Sequence, residues 1–145
     1  MEMILLVGIQ GSGKTTFFRE RFFDTHVRVS LDMLRTRERE RILIAACLMA
    51  QQPLVIDNTN TLASERAGYI EMARNAGFRT VAYFFQSDLR AAIARSNSRK
   101  ERKIPVPAIL RSYKRLDAPS KEEGFSELYM VTVEKENRFL VKSYS

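Results

Sequence analysis

Cysteine and histidine are almost missing from this chain: Cys47 and His26 stand alone among 145 residues. A lone thiol excludes an internal disulfide and any zinc site built from cysteines. Long apolar runs are missing too, since none reaches the ~20 residues that span a bilayer. The first run, Met3-Ile4-Leu5-Leu6-Val7, has no basic segment before it and no small-residue cleavage site, so it does not read as a signal peptide. There is no internal repeat and no low-complexity tract. The expectation is one domain over residues 1–145, cytoplasmic, with no membrane partner.

Acidic residues are in deficit. Lys and Arg number 24 against 17 Asp and Glu, a net charge of +7. That excess suits a polyanionic partner, and it suits a phosphorylated small molecule as well. Charged residues at 28% and hydrophobic ones at 45% are ordinary for a globular chain.

Strand and helix patterns alternate, which predicts an α/β domain with a mostly parallel sheet. Met3 to Val7 is continuously apolar, as a strand buried on both faces should be. A helix is expected from near Lys14, carrying Phe17, Phe18, Phe22 and Phe23 as mostly core rings, and a second strand over Val27 to Ser30. Arg37 to Gln51 reads as a helix stopped by Pro53, and Leu54 to Asp57 as a third strand. Leu62 to Ala76 places Leu62, Tyr69, Ile70, Ala73 and Ala76 on one helical face, with Gly77 ending it. Thr80 to Phe85 follows as a strand, then a helix capped by Asp88, a polar basic stretch from Ser96 to Lys103, and a helix opened by Pro107 and running to about Leu116. Leu128 to Val133 is the fifth strand, with Phe139 to Val141 placed to pair beside it.

Gly8-Ile9-Gln10-Gly11-Ser12-Gly13-Lys14-Thr15 matches G-x-x-x-x-G-K-[ST] and sits between a buried strand and a helix. Glycines let the backbone wrap phosphates, Lys14 reaches the β and γ oxygens, and the Thr15 hydroxyl serves Mg²⁺. The helix N-terminus favours anions. Gly8, Gln10, Gly11, Ser12, Gly13, Lys14, Thr15 and Thr16 are the expected ATP-binding residues.

Three further features bear on what happens to the phosphate. Asp32 lies just past the second strand with Arg35 three residues on. A carboxylate there can take the proton of an attacking hydroxyl, and an Arg one turn away can hold a phosphate. The plainer alternative is an N-cap Asp with a solvated Arg. Asp57, opening the run Asp57-Asn58-Thr59-Asn60 after an apolar strand, can hold Mg²⁺ through water, or can belong to an Asx turn that caps the next helix. Arg95 and Arg99 are i,i+4 neighbours in a basic stretch that suits a lid over a triphosphate, or an ordinary basic helix end.

Taken in order, the P-loop, Asp32-x-x-Arg35, Val55-Ile56-Asp57-Asn58-Thr59-Asn60, Arg95-x-x-x-Arg99, Pro105 and the late Ala118-Pro119 and Glu123-Gly124-Phe125 cover nearly the whole chain. In that order and spacing the chain resembles the kinase domain of polynucleotide 5'-kinase/3'-phosphatases. The resemblance implies a P-loop NTPase fold with a parallel sheet of about five strands and a basic lid. It also implies ATP as donor, Mg²⁺ as cofactor, and 5'-OH DNA or RNA ends as acceptors. It gives Asp32 the role of general base, Arg35 the grip on the acceptor's 3'-phosphate, and Arg95 and Arg99 the clamp on donor phosphates. Lys14, Asp32 and Arg99 would be catalytic, with Thr15 and Asp57 at the metal. The family's phosphatase half uses Asp-x-Asp, which does not occur here, so the chain stands alone or belongs with other end-repair domains or proteins.

Two rival readings keep the same P-loop: a kinase for a small metabolite or nucleoside, and a nucleotide-binding module without transfer chemistry. Cys47 reads as core and His26 as a residue that tunes a strand start. Arg37, Arg39 and Arg41, alternating with Glu38 and Glu40, read as a solvated helix start.

Overall fold

A computed structural model describes residues 1–86, 88–98 and 104–144. The chain runs β1 (Glu2–Val7), α1 (Lys14–Arg21), β2 (Val27–Val29), α2 (Leu31–Leu34), α3 (Arg37–Met49), β3 (Leu54–Ile56), α4 (Ala63–Asn75), β4 (Arg79–Phe85), α5 (Leu89–Ser98), α6 (Val106–Arg115), β5 (Glu127–Val133) and β6 (Phe139–Ser143). One six-stranded sheet has the order β2-β3-β1-β4-β5-β6. All neighbouring pairs are parallel except β5 with β6.

Helices cover both faces, and strand residues alternate between them because successive side chains point to opposite sides. Met3, Leu5, Leu54, Ile56, Ala82 and Phe84 pack with Ile44 and Cys47 of α3 and Tyr69, Ile70 and Ala73 of α4. Ile4, Leu6, Val55, Val81 and Phe85 pack with Phe17 and Phe18 of α1 and with Phe22. That two-sided burial is why β1 and β3 read as unbroken apolar runs. Phe23 is the ring left outside, 69% exposed. Cys47 sits in the core, and His26 bonds Glu2 at 2.8 Å beside the start of β2.

The α/β architecture agrees with the sequence, with four local differences. The sheet has six strands rather than about five, because the chain folds back after β5 and Phe139 to Ser143 pairs antiparallel at the edge. The segment after β2 forms a short helix, α2, whose N-cap is Ser30. Helix α3 stops at Met49, and Gln51 takes a left-handed φ of 57° beyond it. Helix α6 begins at Val106 after an N-cap Pro105, so Pro107 lies within its first turn rather than at its start. Asp88 caps α5 as its side chain suggests, accepting from the Arg90 N–H at 3.0 Å. Among the described residues no helix is long and apolar enough to cross a membrane.

Candidate active site

Parallel pairing brings the C-terminal ends of β1, β2 and β3 to one edge, and the chain crosses there in three turns. The first is the glycine-rich loop after β1. Gly11 takes φ 77°, and a Cβ on it would stand 2.4 Å from the carbonyl oxygen of Ala92, so only glycine fits against α5. Gly13 caps α1 with φ 97° and no side-chain cap, leaving the helix N-terminus open to an anion. Lys14 is 8% exposed and its Nζ donates to the Ile9 carbonyl at 2.9 Å. Among the described residues the hydroxyl of Ser12, 1% exposed, has no hydrogen-bond partner, and neither does Oε1 of Gln10. Orphaned polar atoms in such a cradle fit phosphate oxygens. Thr16 points outward on α1.

The second turn follows β3. Asp57 is almost fully buried, and its Oδ2 accepts from the Thr15 hydroxyl at 3.1 Å. A hydroxyl and a carboxylate in reach of each other are hard oxygen donors, and together they can hold Mg²⁺. No group of three or more His, Cys, Asp or Glu that could hold a metal occurs among the described residues. Asp57 does not cap α4. That helix starts at an N-cap Leu62 with no side-chain cap, and the carboxylate of Asp117 takes the Ala63 N–H at 3.2 Å. Asn60, in the left-handed region at φ 51°, staples the edge instead. Its Nδ2 donates to Leu6 O at 2.8 Å and to Ile56 O at 3.2 Å, joining β1 to β3.

The third turn is α2. Asp32 is its second residue rather than its N-cap, and it lines a cavity of about 240 Å³ with Lys14, Thr15, Asp57, Asn58 and Gln10. Arg35 ends the same turn at φ 75°, an uncommon conformation for a residue with a side chain. It is exposed and lines neither this cavity nor the polar groove beside it.

Arg95 reaches the loop from α5. Its Nη1 donates to the Gly11 carbonyl at 2.9 Å. Arg99, Lys100, Arg102 and Lys103 lie outside the described residues. On the near side of that stretch, the Ser96 hydroxyl donates to Ile104 O at 3.2 Å and accepts from the Ile104 N–H at 3.2 Å.

Several residues of this edge escaped the sequence. Arg28, on β2, donates from Nε to Asp57 Oδ2 at 2.8 Å. The alternation Val27-Arg28-Val29 shows only that it faces away from Val29, not what it meets. Glu40 reads as part of a solvated helix start, but it is 4% exposed and accepts from Tyr69 at 2.9 Å, Arg37 at 3.1 Å and Asn58 at 2.8 Å. Burial and the neighbouring Glu40 charge push the Tyr69 hydroxyl up to about 12. Arg37 also bonds Glu65, and with Arg111 and Arg115 of α6 it lines a groove of about 440 Å³ that shares Gln10 and Thr59 with the first cavity. Arg66 has no exposed side-chain surface. It donates to Glu123 at 2.8 Å and to the carbonyl of Asn60 at 2.8 Å, which gives the late Glu123-Gly124-Phe125 run a structural task.

Comparison with known proteins agrees with this P-loop kinase-like arrangement. The chain is 27% identical over 134 residues to the bifunctional polynucleotide phosphatase/kinase of Schizosaccharomyces pombe, an alignment covering 88% of this chain and 32% of that protein. The chain thus spans about a third of that relative's length. Its fold is similar to Chaetomium thermophilum Kti12 in complex with ADP-AlF3, with TM-score 0.69, 17% identity and coverage of 93% and 92% of the two chains. It is also similar to a gluconokinase from Sinorhizobium meliloti, with TM-score 0.64, 18% identity and coverage of 92% and 83%. At these identities the structural likenesses speak for the fold. The family described as AAA domain matches residues 3–119, most of the chain, and to that family the chain belongs.

Proposed function

We propose that residues 1–145 form one kinase unit that transfers the γ-phosphate of ATP to the 5'-hydroxyl of a DNA or RNA end. The observation that carries this reading is the position of Asp32, which lines the same cavity as Lys14, Thr15 and Asp57. A carboxylate beside a phosphate cradle suits proton removal from an acceptor hydroxyl. The similarity to a polynucleotide phosphatase/kinase and the net charge of +7 favour a polynucleotide as that acceptor.

In this reading the loop amides and Lys14 bind the β- and γ-phosphates. Thr15, and Asp57 through water, hold Mg²⁺, which when bound neutralises phosphate charge. Asp32 receives the proton as the acceptor oxygen bonds to the γ-phosphorus and the bond to the β–γ bridging oxygen breaks, leaving ADP. Arg95 holds the loop against α5, and with Arg99 it meets the charge that builds on the departing phosphoryl group. Arg35 grips the phosphate 3' to the first sugar.

One observation favours a small-metabolite acceptor as the second reading: Arg35 stands outside the cavity lining. A transfer assay with γ-labelled ATP separates the two, with 5'-OH oligonucleotides, nucleoside 3'-monophosphates, nucleosides and sugars as acceptors. Labelled oligonucleotide and 3'-monophosphate, with nearly inert nucleosides, is the expected outcome. Equal labelling of nucleoside and 3'-monophosphate would move the metabolite reading ahead.

A further inference from the structure

The carboxylate best placed to hold a hydrated divalent cation already has a cation of its own. Arg28 donates from Nε to Asp57 Oδ2 at 2.8 Å, and its Nη2 lies 3.5 Å from the Thr15 hydroxyl. The Thr15 hydroxyl donates to the same Oδ2. The Asp57 side chain is 2% exposed, so a lone negative charge there would be costly, and the guanidinium offsets it. The Arg28 side chain is 27% exposed, which leaves it an open side toward solvent.

The register explains how a strand residue reaches the loop. Arg28 pairs with Val55 and Val29 with Ile56, so Arg28 lies on the sheet face that α1 covers, close to where Asp57 leaves β3. A fixed monocation and a divalent cation within a few ångströms of one buried carboxylate repel each other strongly. The Thr15 hydroxyl and the Arg28 Nε–H both donate to Oδ2 and so occupy its two lone pairs, which a metal-bound water can share only by displacing one of them.

We propose that Arg28 is a resident counter-cation for Asp57. It neutralises the carboxylate in the metal-free protein and lends its charge to bound phosphates. It must give up part of its hold on Asp57 before a divalent cation settles beside Thr15, and so it sets the metal threshold of the site. Arg28 is then a positioning residue. The inference rests on the nucleotide-binding reading of the loop and is independent of which acceptor is used.

Two binding measurements on the full chain test it. In the first, Mn²⁺ is titrated into protein saturated with ADP, and the electron paramagnetic resonance signal of the free ion is followed. Arg28→Gln should hold Mn²⁺ about tenfold more tightly than wild type, the scale of one charge-assisted bond. Arg28→Lys should stay near wild type. In the second, ATP is titrated in EDTA by calorimetry, and Arg28→Gln should bind about tenfold more weakly. Asp57→Asn serves as the reverse variant and covers a failure of Arg28→Gln to fold. It frees Arg28, so metal-free ATP binding should tighten while Mn²⁺ binding weakens. A merely structural ion pair would lower the melting temperature of Arg28→Gln and leave both affinities unmoved, which overturns the proposal. Weaker Mn²⁺ binding in Arg28→Gln overturns it too, as does unchanged metal-free ATP binding in Asp57→Asn. A wild type that binds no adenine nucleotide under any condition removes the nucleotide reading and this inference together.

Discussion

The side-chain oxygen of Asn58 accepts a hydrogen bond from the backbone N–H of Leu31 at 2.9 Å. This contact ties the turn after β3 to α2. Asp57 is one residue before Asn58 and Asp32 one residue after Leu31, so this amide, with the Asp57 N–H bonded to Val29 O at 2.8 Å, helps set the two carboxylates relative to each other. Its Nδ2 is anchored below, on Glu40 at 2.8 Å. Asn58→Ala should lower turnover by about 10- to 100-fold, the usual cost of losing a group that orients site residues. It should cost about 1–3 kcal/mol of stability, because Glu40 loses a partner in a buried place. ATP affinity, set by the glycine-rich loop, should change little. Urea unfolding and single-turnover transfer measure the two effects, and a variant with full turnover would show that α2 needs no tether.

Asp32 itself should matter through chemistry rather than binding. Asp32→Asn keeps the size and removes the proposed base, so turnover should fall by ~10²–10⁴. Nucleotide affinity should stay within a few-fold, since Asp32 lies on α2 and not on the phosphate loop. Loss of ATP affinity without loss of turnover per bound ATP would reassign Asp32 to metal or phosphate binding.

The Tyr69 hydroxyl gives a pH signature. Burial first, then the charge of Glu40 and the hydrogen bond to it, push this group up to about 12. An unfolded tyrosine titrates near ~10. The folded protein therefore keeps the proton longer, and the stability this confers is complete below pH ~10 and drains away as pH climbs toward the folded value. Tyr69→Phe removes that contribution. Tyr83 and Tyr129 are raised as well, so a weaker slope should survive in the variant. Unfolding free energies at several pH values above 9 should converge between wild type and Tyr69→Phe, and parallel curves would contradict the assignment.

What could be read from the sequence divides along chain distance. The phosphate loop is contiguous, and the positive φ of Gly11 and Gly13 is a local demand, so the pattern is legible even though Ala92 and Phe139 that crowd those glycines are distant in the chain. Asp32 and Asp57 are legible because parallel strands deliver their C-terminal ends to one edge, whatever the details. The Arg28–Asp57 bond spans 29 positions and depends on register, which an alternating Val-Arg-Val triplet does not reveal. Glu40 and Arg66 look like surface charges on helices, yet each is buried among partners from other elements. The direction of Arg35 hangs on a left-handed φ of 75°, and residue type alone argues against that conformation.

The packing of α5 on the phosphate loop predicts opposite outcomes for two glycines. Gly11→Ala places a Cβ 2.4 Å from Ala92 O at a positive φ, so α5 must move, and Arg95 with it. The backbone strain alone is roughly 1–2 kcal/mol. Gly68, inside α4, has nothing within 4 Å of an added Cβ. Gly68→Ala should therefore stabilise the protein by about 0.5–1 kcal/mol through helix propensity. Melting temperatures should move in opposite directions, and only Gly11→Ala should weaken ADP binding in calorimetry. Wild-type ADP affinity in Gly11→Ala would mean that the loop and α5 part without consequence.

Arg66 supplies the sharpest test of how the C-terminal segment supports the site. The guanidinium has no exposed surface, and it spans two places far apart in the chain. It meets Glu123 through Nε at 2.8 Å and Nη2 at 3.1 Å, and the carbonyls of Asn60 and Thr61 through Nη1 at 2.8 and 3.2 Å. Glu123 in turn takes the Ser120 N–H at 2.8 Å in a capping box. Arg66→Ala removes every one of the arginine's bonds, strands the Asn60 carbonyl while Thr61 O keeps the Asp117 N–H at 2.8 Å, and leaves a void, so it should cost about 3–5 kcal/mol. Glu123→Gln keeps the shape and some hydrogen bonding while removing the charge, and about 1–3 kcal/mol is expected. The double variant should lose less than the two single losses added together, because both act on one contact. Asn60 staples β1 to β3, so hydrogen exchange at the amides of residues 57–61 should accelerate in Arg66→Ala beyond what global destabilisation explains. Strict additivity of the two variants, with uniform exchange across the sheet, would show that Arg66 fills space rather than joining the C-terminal segment to the site.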